Sequence, residues 1–263
     1  MGAATMDRQP PFDIVLASAS PRRRELMAKV APEFRVFPVD VDESSVAESD
    51  PVRFAVEAAV LKAKKGGDHF PSSVVIGADT VVALNLRILG KPADRDSARA
   101  MLQALSGRRH RVITGLAVFR KSEDRLLTGY ELTYVTFRPL TGEMIEGYLD
   151  RDDYRDKAGA YAVQDIGDTF VERMKGDFDN VVGFPTAKVR RLLNLFAVPA
   201  RSVTIEDLDR PGGSGLATVD ARTWLVPGGV TGDRARVQVV GDRDRARLAE
   251  VLSLEAPSPR RAA

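Results

Sequence analysis

Apolar residues recur along this chain in two rhythms, and the alternation between them predicts an α/β domain. Ile14, Val15 and Leu16 form a short unbroken apolar run, and residues 74–78 (VVIGA) form another. Runs of this kind read as strands buried on both faces of a sheet. Between them the spacing turns helical. Leu26, Met27 and Val30 follow Ser20, a natural N-cap, and Pro21, which suits a first helical position. Residues 51–65 place Phe54, Ala55, Ala58, Ala59 and Leu61 on one face. Residues 94–105 do the same with Ala98, Met101, Leu102 and Leu105, between a capping Asp94 or Asp96 and a terminating Ser106 and Gly107. Phe34, Val36, Val39 and Val41 suggest a second strand, and residues 81–89 a hairpin turning at 85–87. Residues 110–119 and 126–137 alternate as two long strands joined by a polar turn. Thr141 starts a short capped helix, residues 176–185 read as a turn and a short strand, and residues 186–195 form a last amphipathic helix with Val189, Leu192, Leu193 and Phe196 inward.

Beyond residue 202 the rhythm shortens. Lysine disappears, glycine is frequent, and alternating strands are expected at 203–206, 223–226 and 235–240, a pattern that suits a small all-β barrel. The expected organisation is a loose tail at 1–11, the α/β domain at 12–198, a linker at 199–202, the barrel at 203–257 and a disordered end at 258–263.

Composition narrows the function classes. With 263 residues, 44% of them hydrophobic, the chain is long enough for a sizeable core. Its formal net charge of +2, from 39 basic and 37 acidic residues, gives no whole-molecule field for nucleic acid or membrane, so any anion site must be local. The lack of cysteine removes disulfides, thiolate metal sites and cysteine nucleophiles. Two histidines leave metal binding to oxygen ligands. No charged and apolar leader opens the chain and no run is long enough for a membrane span, so a cytoplasmic location is expected.

The candidate chemistry gathers at a few points. Residues 16–24 (LASASPRRR) pass from strand to helix start, where unpaired backbone N–H groups and the positive dipole end collect anions, with Arg22, Arg23 and Arg24 beside them. This reads either as a polyphosphate site or as a solvated basic first turn; the arginines stand at the unfavourable end of the dipole unless an anion offsets them. Asp79 and Thr80 are expected at the carboxyl end of the 74–78 strand, the edge where open α/β sheets bind ligands, and a carboxylate there is costly without a partner. Asp40, Asp42 and Glu43 gather after the second strand, as an acidic site or as an ordinary turn. Lys62 lies near the end of an apolar helix, and Lys91 between Gly90 and Pro92. His110, flanked by arginines, suits packing better than metal ligation. In residues 157–164 (KAGAYAVQ), Gly159 and Ala160 would allow close backbone approach to a ligand, Tyr161 reads as core, and Gln164 can donate and accept against a base edge.

Taken together, SASPRR at 18–23, VDE at 41–43, Lys62, GADT at 77–80, GKP at 90–92, SGRRH at 106–110 and KAGAYAVQ at 157–164 resemble the Maf family of nucleotide pyrophosphatases over roughly residues 12–197. The resemblance implies a two-lobed Maf/HAM1-type α/β fold, with a mixed sheet, flanking helices and a cleft. It also implies hydrolysis of nucleoside triphosphates to the monophosphate and pyrophosphate with a divalent cation, Mg²⁺ or Mn²⁺. By the same resemblance Asp79 is the catalytic base and a metal ligand, and Glu43 a second metal ligand. Ser18, Ser20, Arg22, Arg23, Lys62 and Lys91 surround the triphosphate, while Arg22, Thr80 and Gln164 are linked to base choice. The KAGAYxxQ form is similar to the branch acting on dTTP and UTP. The tail, through VTIEDL at 203–208, GGSGLA at 212–217 and VPGGVTGDRARVQV at 226–239, resembles a TRAM domain, which implies an RNA-binding module. A different class of reading is therefore an RNA-associated, nucleotide-sensing protein, and a plainer one makes the barrel a stability or dimerisation element, giving a homodimer.

Overall fold

In the computed structural model, which describes residues 10–208, 213–243 and 246–258, the chain opens with β1 (Ile14–Leu16) and α1 (Pro21–Ala28). β2 (Arg35–Val36), a helical turn at Glu43–Ser45 and α2 (Pro51–His69) follow. Next come β3 (Val74–Leu84), β4 (Arg87–Leu89), α3 (Arg95–Leu105), β5 (Arg109–Arg120), β6 (Arg125–Phe137) and α4 (Gly142–Leu149). The last elements of this part are α5 (Val163–Phe170), β7 (Val171–Lys175), α6 (Phe178–Val182) and α7 (Thr186–Ala197). The strands make one sheet in the order β2-β1-β3-β5-β6-β7, with β4 added to the far end of β3. β1 pairs parallel with both neighbours and the remaining pairs are antiparallel, so this is a mixed sheet with flanking helices.

Caps expected from the sequence form at Ser20, Asp94 and Thr141, whose side chains accept from backbone N–H groups of the first turns. α2 lies directly on the sheet because glycine faces it. A Cβ added at Gly77 would stand 2.1 Å from the Ala59 carbonyl oxygen, and one at Gly115 2.1 Å from that of Ala55. Ala55, Ala58, Ala59 and Ala63 complete this close approach. On the opposite face α3 and α4 cover a core containing Leu102, Leu105, Val112, Phe137, Tyr148 and Phe170.

Three local expectations change. The second strand is only Arg35–Val36: Phe37 still donates to Leu16, but Pro38 has no N–H and pairing stops there. β3 does not end at Ala78. It continues through Asp79 to Leu84, because Val81, Val82 and Ala83 keep pairing with β5 and Asp79 has a cationic partner, so its carboxylate is not a reason to leave the sheet. The segment 176–185 is a turn and a helix rather than a turn and a strand: Asp177 caps α6 and Gly183, at φ +108°, ends it. These start and stop signals outweigh the β-branched pair between them.

The chain divides into two compact units at residues 192 and 193. The second contains a six-stranded sheet in the order β8 (Arg201–Thr204), β12 (Arg234–Arg243), β13 (Ala246–Ala256), β11 (Arg222–Val226), β10 (Gly215–Val219) and β9 (Asp207–Leu208). β8 and β9 lie at opposite edges yet are nearly continuous in sequence, so one segment serves both edges and the sheet curls, helped by Ile205 donating to Asp233 and Glu206 to Leu216. Its core holds Val203, Ile205, Trp224, Val226, Val237 and Val239, so Trp224 is interior as expected. Residues 201 and 202, expected in a linker, already pair with β12. Ser258, expected in the loose end, is buried and donates its N–H to Asp233 at 2.8 Å. The expected tails otherwise fall mainly outside the described residues.

Candidate functional site

The site begins where the sheet runs short of a neighbour. β1 pairs with β3 only at Val74, Val75 and Ile76, and β4 reaches β3 only from Val82 onward. Between them the edge of β3 toward β1 is open, and Asp79 sits in that gap. Strand alternation turns Gly77 and Asp79 toward α2, and Thr80 and Val82 away from it. The close seat of α2 on Gly77 delivers Lys62, whose Nζ lies 2.6 Å from Asp79 Oδ1 and 2.7 Å from Glu43 Oε1. Lys62 and Asp79 are nearly buried, with 11% and 8% of their side chains exposed, and Glu43 is 41% exposed. Glu43 is presented by the short turn that Asp42 caps through Ser44, so Asp42 serves the turn rather than the cleft. Burial alone would raise the Glu43 carboxyl. The Lys62 hydrogen bond and the charges of Lys62, Lys91 and Arg23 outweigh it and hold this pKa below the usual range.

The loop 18–23 closes one side. Ser18 is buried and accepts from Ser20 N, and Ser20 caps α1 by accepting from Arg23 N. Arg23 is bound to protein at all three guanidinium nitrogens: Nη1 donates to Ala78 O at 2.8 Å, Nη2 to Thr80 Oγ1 at 3.1 Å and Nε to Gly183 O at 3.0 Å. It supplies the missing hydrogen bond at the open edge of β3. Burial lowers its pKa, while the carboxylates of Asp79 and Glu43 act against that shift. Arg22, by contrast, is 31% exposed and 3.5 Å from the exposed Asp156. Lys91 is exposed on the loop after β4, whose Gly90 carbonyl accepts from Gly159 N at 3.0 Å.

All the candidate residues line one cleft of about 410 Å³: Ser18, Ser20, Arg22, Arg23, Glu43, Lys62, Asp79, Thr80, Lys91 and Gln164. Gln164 is exposed at the start of α5 on its rim. Tyr161 is core, as expected, with its hydroxyl 2.7 Å from His110 Nε2. Gly159 makes its close approach to Val82 of the protein, at φ +68°, rather than offering its backbone to a ligand. The cleft also includes Asp156, Lys157 and the α6 wall at Val181, Val182 and Gly183, which the sequence reading did not assign. A lysine opening an otherwise small and apolar stretch, and the Asp177 to Gly183 cap pair, were the signals for them.

Cationic side chains from several elements thus surround two carboxylates, an arrangement suited to a polyanion carrying a hard cation. No group of three or more potential protein ligands for a metal occurs among the described residues. Glu43 and Asp79 nevertheless match what Mg²⁺ commonly takes from a protein, one or two carboxylates with phosphate oxygens and water completing the shell.

A family profile described as Maf-like protein matches residues 13–196. The dTTP/UTP pyrophosphatase of Pyrococcus furiosus is 43% identical over 182 residues, covering 69% of this chain and 94% of that protein. The dTTP/UTP pyrophosphatase of Symbiobacterium thermophilum is 40% identical over 186 residues, covering 71% and 95%. Among solved structures, a HAM1 protein from Coxiella burnetii matches 70% of this chain and 98% of its own at 17% identity, with a TM-score of 0.41. The match of the family profile across most of the first compact unit, together with relatives of this identity and coverage, places the chain in the Maf family.

Proposed function

We propose that the protein is a nucleoside triphosphate pyrophosphatase that hydrolyses dTTP and UTP to the monophosphate and pyrophosphate, clearing unwanted pyrimidine nucleotides in the cytoplasm. The observation that carries this reading is the Asp79–Lys62–Glu43 triplet at the floor of a cleft ringed by Arg22, Arg23 and Lys91. Asp79 orients a water and takes its proton as the oxygen attacks the α-phosphorus. The bond from that phosphorus to the bridging oxygen breaks, and pyrophosphate leaves with the electron pair. Glu43 and Asp79 would hold the divalent cation, which would supply charge neutralisation at the phosphates. Lys62 bonds both carboxylates and favours the ionised form of Glu43, Arg22 and Lys91 bind phosphate oxygens, Ser18 and Ser20 shape the loop beneath them, and Thr80 and Gln164 face the nucleoside. Replacement Asp79→Asn tests this: removing a general base costs about 10²–10⁴-fold in rate, with nucleotide binding and melting temperature retained. Wild-type turnover in that variant rules the mechanism out.

The second unit is proposed as a TRAM-like module that contacts RNA. What supports it is the curled six-stranded sheet, the glycine-rich sequence matches and the exposed Arg222 and Arg236 on its strands. Filter binding of the full chain to RNA should weaken steeply as salt rises; no retention at low salt removes this role and leaves the barrel a stability or dimerisation element.

A further inference from the structure

β5 is apolar through its middle except at Thr114, which is fully buried and directly opposite Thr80 of β3. The hydroxyls lie 2.9 Å apart, and Thr114 Oγ1 is also 3.2 Å from the Asn180 carbonyl oxygen, which can only accept. Each hydroxyl has one proton, and Thr80 has two acceptors for it, Thr114 Oγ1 at 2.9 Å and Gly183 O at 3.4 Å; the nearer acceptor sets the directions. Thr114 donates to Asn180 O, Thr80 donates to Thr114, and Thr80 accepts from Arg23 Nη2. The result is a one-way chain of hydrogen bonds from the Arg23 guanidinium to α6. Asn180, also fully buried, extends it by donating from Nδ2 to Val112 O and Thr133 Oγ1, both at 3.0 Å. Thr133 in turn donates to Asp177 O and accepts from Asp177 N. Such a chain strengthens link by link in a dry interior, and it is costly there to leave one partner unpaired.

We propose that Thr114 is a positioning residue for the cleft: through Thr80 it fixes Arg23 against the open edge of β3, and through the Asn180 carbonyl it fixes the wall formed by Val181, Val182 and Gly183. It touches no substrate. Packing alone would be served by valine, which has the same shape, so the hydroxyl is what the position requires. This inference rests on the pyrophosphatase reading, and its experiment separates the two.

Steady-state hydrolysis of dTTP is compared for wild type, Thr114→Val, Thr114→Ser, Thr80→Val and the double variant Thr80→Val/Thr114→Val, with melting temperatures alongside. Thr114→Val should lower kcat/KM by about tenfold, the loss expected when a buried partner is left unpaired, carried mainly by KM because the groups it positions line the cleft. Thr114→Ser should restore it, and the double variant should be no worse than Thr80→Val alone. An unchanged kcat/KM in Thr114→Val, or losses that multiply in the double variant, overturns the inference while the enzyme reading stands. Should Thr114→Val fail to fold, Thr114→Ala is judged by the same criteria. A wild type inactive on every triphosphate overturns the proposed function, and this inference with it.

Discussion

Lys62 is the residue on which the charge balance of the cleft turns, because among the described residues it alone bonds both carboxylates. Its removal leaves Glu43 with burial, which raises its pKa, and without the hydrogen bond that lowers it most. In Lys62→Met the acid limb of the pH–rate profile should therefore move to higher pH; an unmoved limb would detach Lys62 from the ionisation of the site. His110 has the opposite exposure to pH. Burial lowers its pKa to about 4, so the fold holds it neutral. Between pH 6.5 and 4 the unfolded chain binds more protons at this position than the native one, and stability falls as pH falls. The effect is on the order of 3 kcal/mol and is complete below about pH 4. Urea melts at pH 7.5 and 4.5 should show His110→Gln losing less stability on acidification than wild type; equal losses would contradict it. Residue identities and their gathering in one cleft were legible in the motifs. Two of the partners of Arg23 were not. They are carbonyls 55 and 160 positions away, at Ala78 and Gly183, and no local pattern marks a carbonyl that lacks a strand neighbour.

At the scale of elements, the seat of α2 on β3 and β5 sets the reach of Lys62, and Gly77, like Gly115, leaves room for the helix backbone where a Cβ would stand 2.1 Å from a carbonyl oxygen. Gly77→Ala must push the helix away, since its Cβ would meet backbone rather than a flexible side chain. Overpacking of this kind costs about 3 kcal/mol, and the displacement should also lengthen the Lys62–Asp79 contact and depress turnover. A urea midpoint and rate equal to wild type would show that the helix is not seated as described. The helices with clear caps were readable because capping is local: Ser20, Asp94 and Thr141 each accept from the N–H group three residues on. The course of β3 through Asp79 was not, because the polar pair at 79 and 80 imitates a strand end, and what keeps it in the sheet is Lys62 on another element. The same holds for α6, whose two valines suggested a strand while Asp177 and Gly183 set a helix.

At the scale of the whole molecule, the formal net charge of +2 confines any anion site to a local cluster of cations. Among the described residues no helix is long and apolar enough to cross a membrane. The change of rhythm after residue 202 announced a second, all-β unit, although β9, β10 and β13 were missed; in β13, Ala246–Ala256 mixes apolar and polar positions around register shifts against β12 rather than alternating cleanly. The central claim is the reaction at Asp79, and the most direct measurement identifies the products formed from dTTP and UTP by the full chain with Mg²⁺ or Mn²⁺, beside CTP and 7-methyl-GTP. The account predicts pyrophosphate together with dTMP or UMP, little turnover of the other two, and loss of all turnover on chelation of the metal. Release of orthophosphate with the nucleoside diphosphate, or no hydrolysis of either pyrimidine triphosphate, would contradict it.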